Sequence, residues 1–170
     1  MNKFFATVLL GVCVTADCMV PANAADCAAY LCFYGALNGR VELNLPGDLE
    51  HYDDYGRLLG KTCSKGRGTR QFYDDYGRYL GKAELERAGE IRFYDDYGRY
   101  LGRLQLERRG EVRYYDDSGR YLGKSELESH GKIEYYDDYG RYRGKSVRDG
   151  RTVNFYDAYG RYLGKSELSR

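Results

Sequence analysis

Tyrosine and arginine side chains recur together in this sequence, at the end of a motif that reads YDDYGR in most of its copies. A tyrosine ring beside a guanidinium group suits stacking on a sugar ring, on a peptide or on another arginine. The third position of a four-residue turn tends to project its side chain outward. The sequence therefore predicts a binding surface, made by Tyr76, Tyr97, Tyr139, Tyr159, Arg78, Arg99, Arg120, Arg141 and Arg161. The rings could instead pack on the neighbouring unit, which is the commoner use of aromatic pairs in sheets, and both interpretations stay open.

Paired aspartates precede these residues in five of six copies and invite a catalytic interpretation. A glycosidase uses two carboxyl groups, but such a pair needs one special environment rather than a set of equal turns. A calcium loop needs six or more oxygen ligands, and Asp-Asp-Tyr-Gly-Arg supplies too few, although weak calcium binding between adjacent units stays open. We therefore interpret the aspartates as turn residues. We expect no enzyme activity, no catalytic residue, no metal site and no cofactor, with a hydrolase as the least favoured alternative.

The cysteines and histidines offer few further sites. Asp26 can cap a helix through the next residues, in which Cys27 and Cys32 would be separated by about 7.5 Å of axial rise. Disulfide-bonded Cα atoms usually lie within about 6.8 Å of each other. Hence one disulfide is predicted, joining Cys63 to Cys27 or Cys32. Neither histidine, at positions 51 and 130, has a partner at a useful spacing, and we expect both to be exposed turn residues.

A tandem repeat carries the tyrosines and arginines. Five copies begin 21 residues apart and the sixth follows after 20, opening at Tyr52, Tyr73, Tyr94, Tyr115, Tyr136 and Tyr156. Each copy holds an Asp-Asp-Tyr-Gly turn or a near variant of it, and a second reversal that closes on glycine, such as Glu107–Gly110, or Asp149–Gly150 in the fifth copy. The alternating segments between the turns predict strands, with a short helix at AELERA or SELESH as the weaker alternative. The predicted fold is all-β: about six 21-residue hairpins in a stacked or curled antiparallel meander.

The strand register depends on the turn type. With a glycine-bulge turn, Tyr94 faces Tyr100 and Phe93 faces Leu101, so both faces of the sheet carry apolar side chains. Simple alternation also places Tyr100 on the same face as Gly102. A tighter turn would require positive φ at a tyrosine, which is costly, so we favour the glycine-bulge register.

The first 24 residues resemble a secretory signal. Lys3 gives a positive start, Phe4–Thr15 is mainly apolar, and Ala22–Ala24 offers small residues before a cleavage site at Ala25. The apolar run is shorter than the roughly 20 residues needed to span a bilayer, so we expect no integral membrane protein. The predicted organisation is a signal peptide at 1–24, a helical cysteine-containing cap at 25–50 and the repeat domain at 51–170. Export to the periplasm or the exterior follows, and a net charge of +1 argues against a nucleic-acid partner.

Two resemblances bear on fold and role. The stretch GEIRFYDDYGRYLGR resembles the YD-type repeats of Rhs and teneurin-like proteins and is similar to the units of β-flower repeat proteins. This resemblance covers residues 52–170 and implies a β-repeat array, of a kind that serves as a shell, a carbohydrate binder or a secreted module. DCAAYLCFYG, at Asp26–Gly35, resembles the opening of the TrbM/KikA-like conjugal-transfer family, which is exported.

Together these patterns predict a non-enzymatic exported β-repeat protein that presents Tyr/Arg turns for binding or structural interaction at the bacterial cell envelope. The partner classes that suit such turns are a glycan, an envelope component or another protein. The second resemblance implies an alternative role, as an accessory of a conjugal-transfer or secretion apparatus.

Overall fold

The computed structural model describes residues 47–66, 68–86, 89–107 and 110–169. The predicted signal peptide and residues 25–46 of the predicted cap lie outside these ranges, while Leu49 and Glu50, which were assigned to the helical cap, belong to the first strand. The described residues form twelve antiparallel strands that follow one another around a closed barrel. The strands are β1 Leu49–Asp53, β2 Leu58–Ser64, β3 Thr69–Asp74, β4 Tyr79–Leu85, β5 Glu90–Asp95, β6 Tyr100–Leu106, β7 Glu111–Asp116, β8 Tyr121–Leu127, β9 Lys132–Asp137, β10 Tyr142–Asp149, β11 Thr152–Asp157 and β12 Tyr162–Leu168. No helix in these ranges is long and apolar enough to cross a membrane.

Each repeat is one hairpin, and the six hairpins curl until β12 pairs with β1. The register at this closing seam, with Gly164 opposite Asp53, matches the register between consecutive repeats, such as Gly144 opposite Asp157. The all-β meander is thus confirmed, and of the two predicted arrangements the curled one is observed. Closure gives every strand two neighbours, which removes the exposed edges that would otherwise pair with other chains.

The Asp-Asp-Tyr-Gly turns form as predicted. In the third hairpin the Gly98 N–H donates to the Asp95 carbonyl at 3.1 Å, and the Asp95 N–H donates to the Arg99 carbonyl at 3.0 Å. Gly98 has φ of 79°, in the left-handed region where a Cβ is unfavourable. Glycine therefore closes the turn for a conformational reason.

The predicted register is correct for one pair and wrong for the next. Tyr94 lies opposite Tyr100, but Phe93 lies opposite Gly102 because Leu101 is the extra residue of a β-bulge. The bulge also breaks the simple alternation along β6. Tyr100 consequently shares the outer face with Tyr94, while Gly102 faces the interior. The same register shift occurs in the other repeats.

The interior contains a ring of large side chains, each directly opposite a glycine of the partner strand. The ring consists of His51, Phe72, Phe93, Tyr114, Tyr135 and Phe155. A Cβ on Gly123 would lie 2.3 Å from the Tyr136 carbonyl oxygen, and Gly123 has φ of 145°. The neighbouring backbone thus approaches this glycine so closely that even alanine would force the backbone to shift.

His51 is fully buried, which contradicts its prediction as an exposed turn residue. It lies on β1 at the closing seam, where its Nδ1 is 2.8 Å from the Ser166 hydroxyl and its Nε2 is 2.8 Å from the Thr62 hydroxyl. Burial, with a smaller contribution from the charge of Arg70, lowers the pKa of His51 from 6.5 to about 3. The ring is therefore neutral at physiological pH, with one nitrogen as donor and the other as acceptor. The sequence carried a signal for this burial, because His51 occupies a position that is Phe or Tyr in the other repeats.

Cys63, on β2, is a free thiol in this structure and is partly buried. The predicted disulfide is therefore not confirmed, and Cys27 and Cys32 lie outside the described residues.

Candidate binding surface

The six turns, four of which read Asp-Asp-Tyr-Gly while two are variants of it, lie at the same end of the barrel, because every second connection of an up-and-down meander returns to the same end. We name this end the turn ring, and it consists of residues 53–57, 74–78, 95–99, 116–120, 137–141 and 157–161. The predicted tyrosines occupy it and point into solvent, with exposed fractions of 81% for Tyr76, 80% for Tyr97, 78% for Tyr139 and 87% for Tyr159. The alternative, in which these rings pack on the neighbouring unit, does not hold.

The first aspartate organises each turn, and in four of the six turns it is buried. Asp95 is 3% exposed, and its Oδ1 accepts hydrogen bonds from the N–H groups of Tyr97 and Arg99 at 2.9 and 2.8 Å. Its Oδ2 accepts a bond from Arg99 Nε at 2.6 Å. Burial opposes the charge on Asp95, but these hydrogen bonds and the arginine outweigh it and hold the pKa of Asp95 below its ordinary value. The first aspartate of the motif is thus a structural residue, as predicted.

The same arginine supports the exposed ring. The Arg99 guanidinium carbon lies 5.4 Å from the centre of the Tyr97 ring, within the range of a cation–π interaction. Arg99 is thereby held between a buried carboxylate and an exposed aromatic face. The tyrosine is oriented without being covered, which leaves most of its surface available for a ligand.

This arrangement recurs in the turns that carry tyrosine. Guanidinium-to-ring distances range from 5.0 to 5.7 Å, in the pairs Arg57–Tyr55, Arg78–Tyr76, Arg99–Tyr97, Arg141–Tyr139 and Arg161–Tyr159. Tyr55 and Arg57 belong to the surface although they were not predicted as site residues. The signal was present, because the first copy also reads YDDYGR.

The fourth turn shows whether the turn backbone depends on the tyrosine side chain. Ser118 replaces the tyrosine, and Arg120 lies 3.5 Å from Asp116 rather than in close contact. The turn backbone is nevertheless the same: the Gly119 N–H donates to the Asp116 carbonyl at 3.1 Å, and Gly119 has φ of 84°. The tyrosine side chain is therefore not needed to form the turn.

A belt of aromatic and basic side chains encircles the barrel beside the turn ring. Tyrosine pairs within the hairpins meet edge to face with ring centres 5.8–6.0 Å apart, as Tyr94 and Tyr100 do. Basic side chains from the adjoining hairpin cover one ring of each pair, as Lys82 covers Tyr94 at 5.3 Å. Lys165 covers Tyr52 at 5.2 Å and so carries the belt across the closing seam. These contacts link adjacent hairpins at the base of the turns.

The turn ring is acidic although the whole chain is nearly neutral. Each of the first five turns contains two aspartates and one arginine, a net charge of −1, while the sixth has Ala158 in place of the second aspartate and is neutral. The second aspartates, such as Asp96, are exposed. In the described residues no group of three or more His, Cys, Asp or Glu side chains is placed to hold a metal ion.

Comparison with known proteins adds little. No family model and no curated protein matches the chain, so the resemblances to YD-type, β-flower and TrbM/KikA-like proteins stay predictions. Among solved structures, alternansucrase in complex with isomaltononaose is 19% identical over 70% of this chain, with a TM-score of 0.22. The matched region covers 11% of the alternansucrase chain. A likeness this weak carries no argument about fold or function.

Proposed function

We propose that this chain is a non-enzymatic, exported binding protein that uses the turn ring to hold a partner at the bacterial cell envelope. The observation that carries the proposal is the exposure of five tyrosine rings at one end of the barrel, each 78–87% accessible. An exposed tyrosine that recurs at the same place in five of six turns suits binding, because its ring offers a large rigid apolar face with a polar end.

The geometry favours a multivalent mode of binding. Neighbouring turns are two strands apart, which corresponds to about 10 Å along the sheet. A partner with repeated features could engage several turns at once, and linked contacts can raise the overall affinity by roughly 10²–10⁴ over a single one. The belt supports this mode, because turns that are fixed relative to each other lose little entropy on binding.

The test compares variants of the full chain in their binding to envelope fragments from the producing cells. In the first variant, serine replaces the five tyrosines, Tyr55, Tyr76, Tyr97, Tyr139 and Tyr159, as it does naturally at Ser118. The control replaces Arg92 and Arg113, which are exposed strand residues, with serine. We expect co-sedimentation to be lost in the first variant and kept in the control. Equal binding by both variants, or no binding by the unaltered chain, would contradict the proposal.

Export is tested independently of binding. The signal-like features of residues 1–24 support cleavage before Ala25. Fractionation of the producing cells, followed by intact mass of the chain, should give a periplasmic or extracellular product that begins at Ala25. A cytosolic product that retains Met1 would refute export. The alternative role in conjugal transfer depends on Asp26–Gly35, which lies outside the described residues.

A further inference from the structure

The chemistry of the turn ring also restricts the kind of ligand. We propose that the ring binds an uncharged carbohydrate chain, by stacking sugar rings on the exposed tyrosines and accepting hydroxyl hydrogen bonds on the exposed aspartates. This inference rests on the proposed binding role of the turn ring. It goes further by choosing one ligand class among a glycan, an envelope component and another protein.

The arginines argue against an acidic ligand. Arg99 Nε donates to the buried Asp95 carboxylate at 2.6 Å, and the corresponding distances are 2.6 Å for Arg57, Arg78 and Arg161 and 2.8 Å for Arg141. The turn aspartate thus takes one donor of each guanidinium and neutralises its charge, which weakens its attraction for a phosphate or carboxylate group. An acidic polymer would also approach a ring of net negative charge, since five turns each carry −1. Repulsion therefore opposes an acidic ligand.

The tyrosines argue against a cationic ligand. A basic peptide would be attracted by the acidic ring, but one face of each turn tyrosine already lies against a guanidinium group. In the third turn that group lies 5.4 Å from the ring centre. A second cation on the same ring would be opposed by the first, so the tyrosines would add little to its binding. Binding of a cation would then depend on the aspartates alone.

An uncharged polyhydroxyl ligand meets neither obstacle. The apolar face of a sugar ring can stack on tyrosine, which presents a large rigid surface with a polar end. Sugar hydroxyls can donate to the exposed carboxylate of residues such as Asp96, and a carboxylate accepts several hydrogen bonds. The recurrence of the same tyrosine and aspartate around the ring suits a chain of similar sugar units. Such binding depends little on ionic strength.

The experiment measures binding of the full chain to immobilised polymers of three kinds. The probes are neutral polysaccharides (dextran, laminarin and galactan), an acidic one (polygalacturonate) and a basic polymer (polylysine). We expect retention on at least one neutral polysaccharide, unchanged up to about 1 M salt, where the Debye length is about 3 Å. Replacing the five turn-ring tyrosines with serine should weaken it by at least about tenfold, because it removes the linked contacts on which multivalent binding depends. The variant with serine at Arg92 and Arg113 should bind as the unaltered chain does.

The outcomes separate this inference from the function on which it rests. Retention on polylysine or polygalacturonate alone, or retention lost at high salt, would overturn the carbohydrate assignment. The carbohydrate assignment would also be overturned if the chain bound none of the three neutral polysaccharides while its envelope binding still depended on the tyrosines. That result would leave the proposed function standing. Binding to a neutral polysaccharide that survived the tyrosine substitutions would overturn the inference, because the ligand would then lie elsewhere.

Discussion

Lowering the pH from about 7.5 to about 5 should destabilise this protein through one residue, His51. Its pKa is about 3 in the folded protein and 6.5 as an ordinary value, because burial disfavours the charged ring and Arg70 adds to the effect. A proton therefore binds the unfolded chain first, and the stabilising effect of the neutral ring is present above pH 6.5 and is lost progressively as the pH falls towards 3. Since one pKa unit corresponds to about 1.4 kcal/mol, the loss of unfolding free energy by about pH 5 is about 2 kcal/mol.

Urea denaturation at the two pH values measures this loss, with His51→Phe as the matched variant. Phenylalanine occupies the equivalent position in other repeats, as at Phe93. It cannot be protonated, so most of the pH dependence should disappear even if the variant is less stable at every pH. The turn aspartates do not confuse the result, because their pKa values lie below 3.8 and they titrate at lower pH. The same loss in both proteins, or no loss in the unaltered chain, would refute the reasoning.

Three further predictions concern stability and are measured by urea unfolding. Gly123→Ala should lower the free energy of unfolding by about 1–3 kcal/mol more than Gly119→Ala does. Both glycines have positive φ, but only a Cβ at residue 123 meets a backbone oxygen; equal losses would contradict this. Asp95→Asn should lower the free energy of unfolding by about 1–3 kcal/mol, because it weakens the hydrogen bonds that Asp95 accepts within the turn. Asp96→Asn, at an exposed position, should lower it by less than about 0.5 kcal/mol. A circular permutant of residues 47–169, opened between β6 and β7, should match its linear form within about 1 kcal/mol, because the seam register repeats that of the other interfaces; failure to fold would refute this.

Much of the candidate site could be predicted from the sequence because its geometry is local. The hydrogen bonds of a turn join residues two and four positions apart, as between Asp95 and the N–H groups of Tyr97 and Arg99. Such contacts follow from residue types at fixed spacing. The turn positions, the glycine conformations and the position of the tyrosines at the turns were all predictable in this way. Tyr55 was missed although the same pattern contains it.

The bulge at Leu101 could not be predicted from local contacts in the way that the turns could. Turn chemistry fixes the first pair after the turn, Tyr94 with Tyr100, but the next pair depends on whether the strand inserts a residue. The sequence around Gly102 is compatible with two registers. In one, Phe93 pairs with Leu101; in the other, Leu101 bulges out and Phe93 pairs with Gly102. Packing of the interior against Phe93 decides between them, and packing is a property of the whole barrel.

The sequence by itself determined the repeat, the hairpin of each unit and the chemistry displayed at each turn, since all of these arise from interactions within about twenty residues. Only the tertiary structure decided that the array closes, because the pairing of β1 with β12 joins segments more than one hundred residues apart in the chain. Closure buries His51 between Ser166 and Thr62, and it arranges the turns of all six units, which the meander places at one end, as a ring. The tertiary structure also decided that the turn tyrosines face solvent. Neighbouring hairpins pack on each other through the belt and the interior ring of side chains, so the turn tyrosines take no part in that packing.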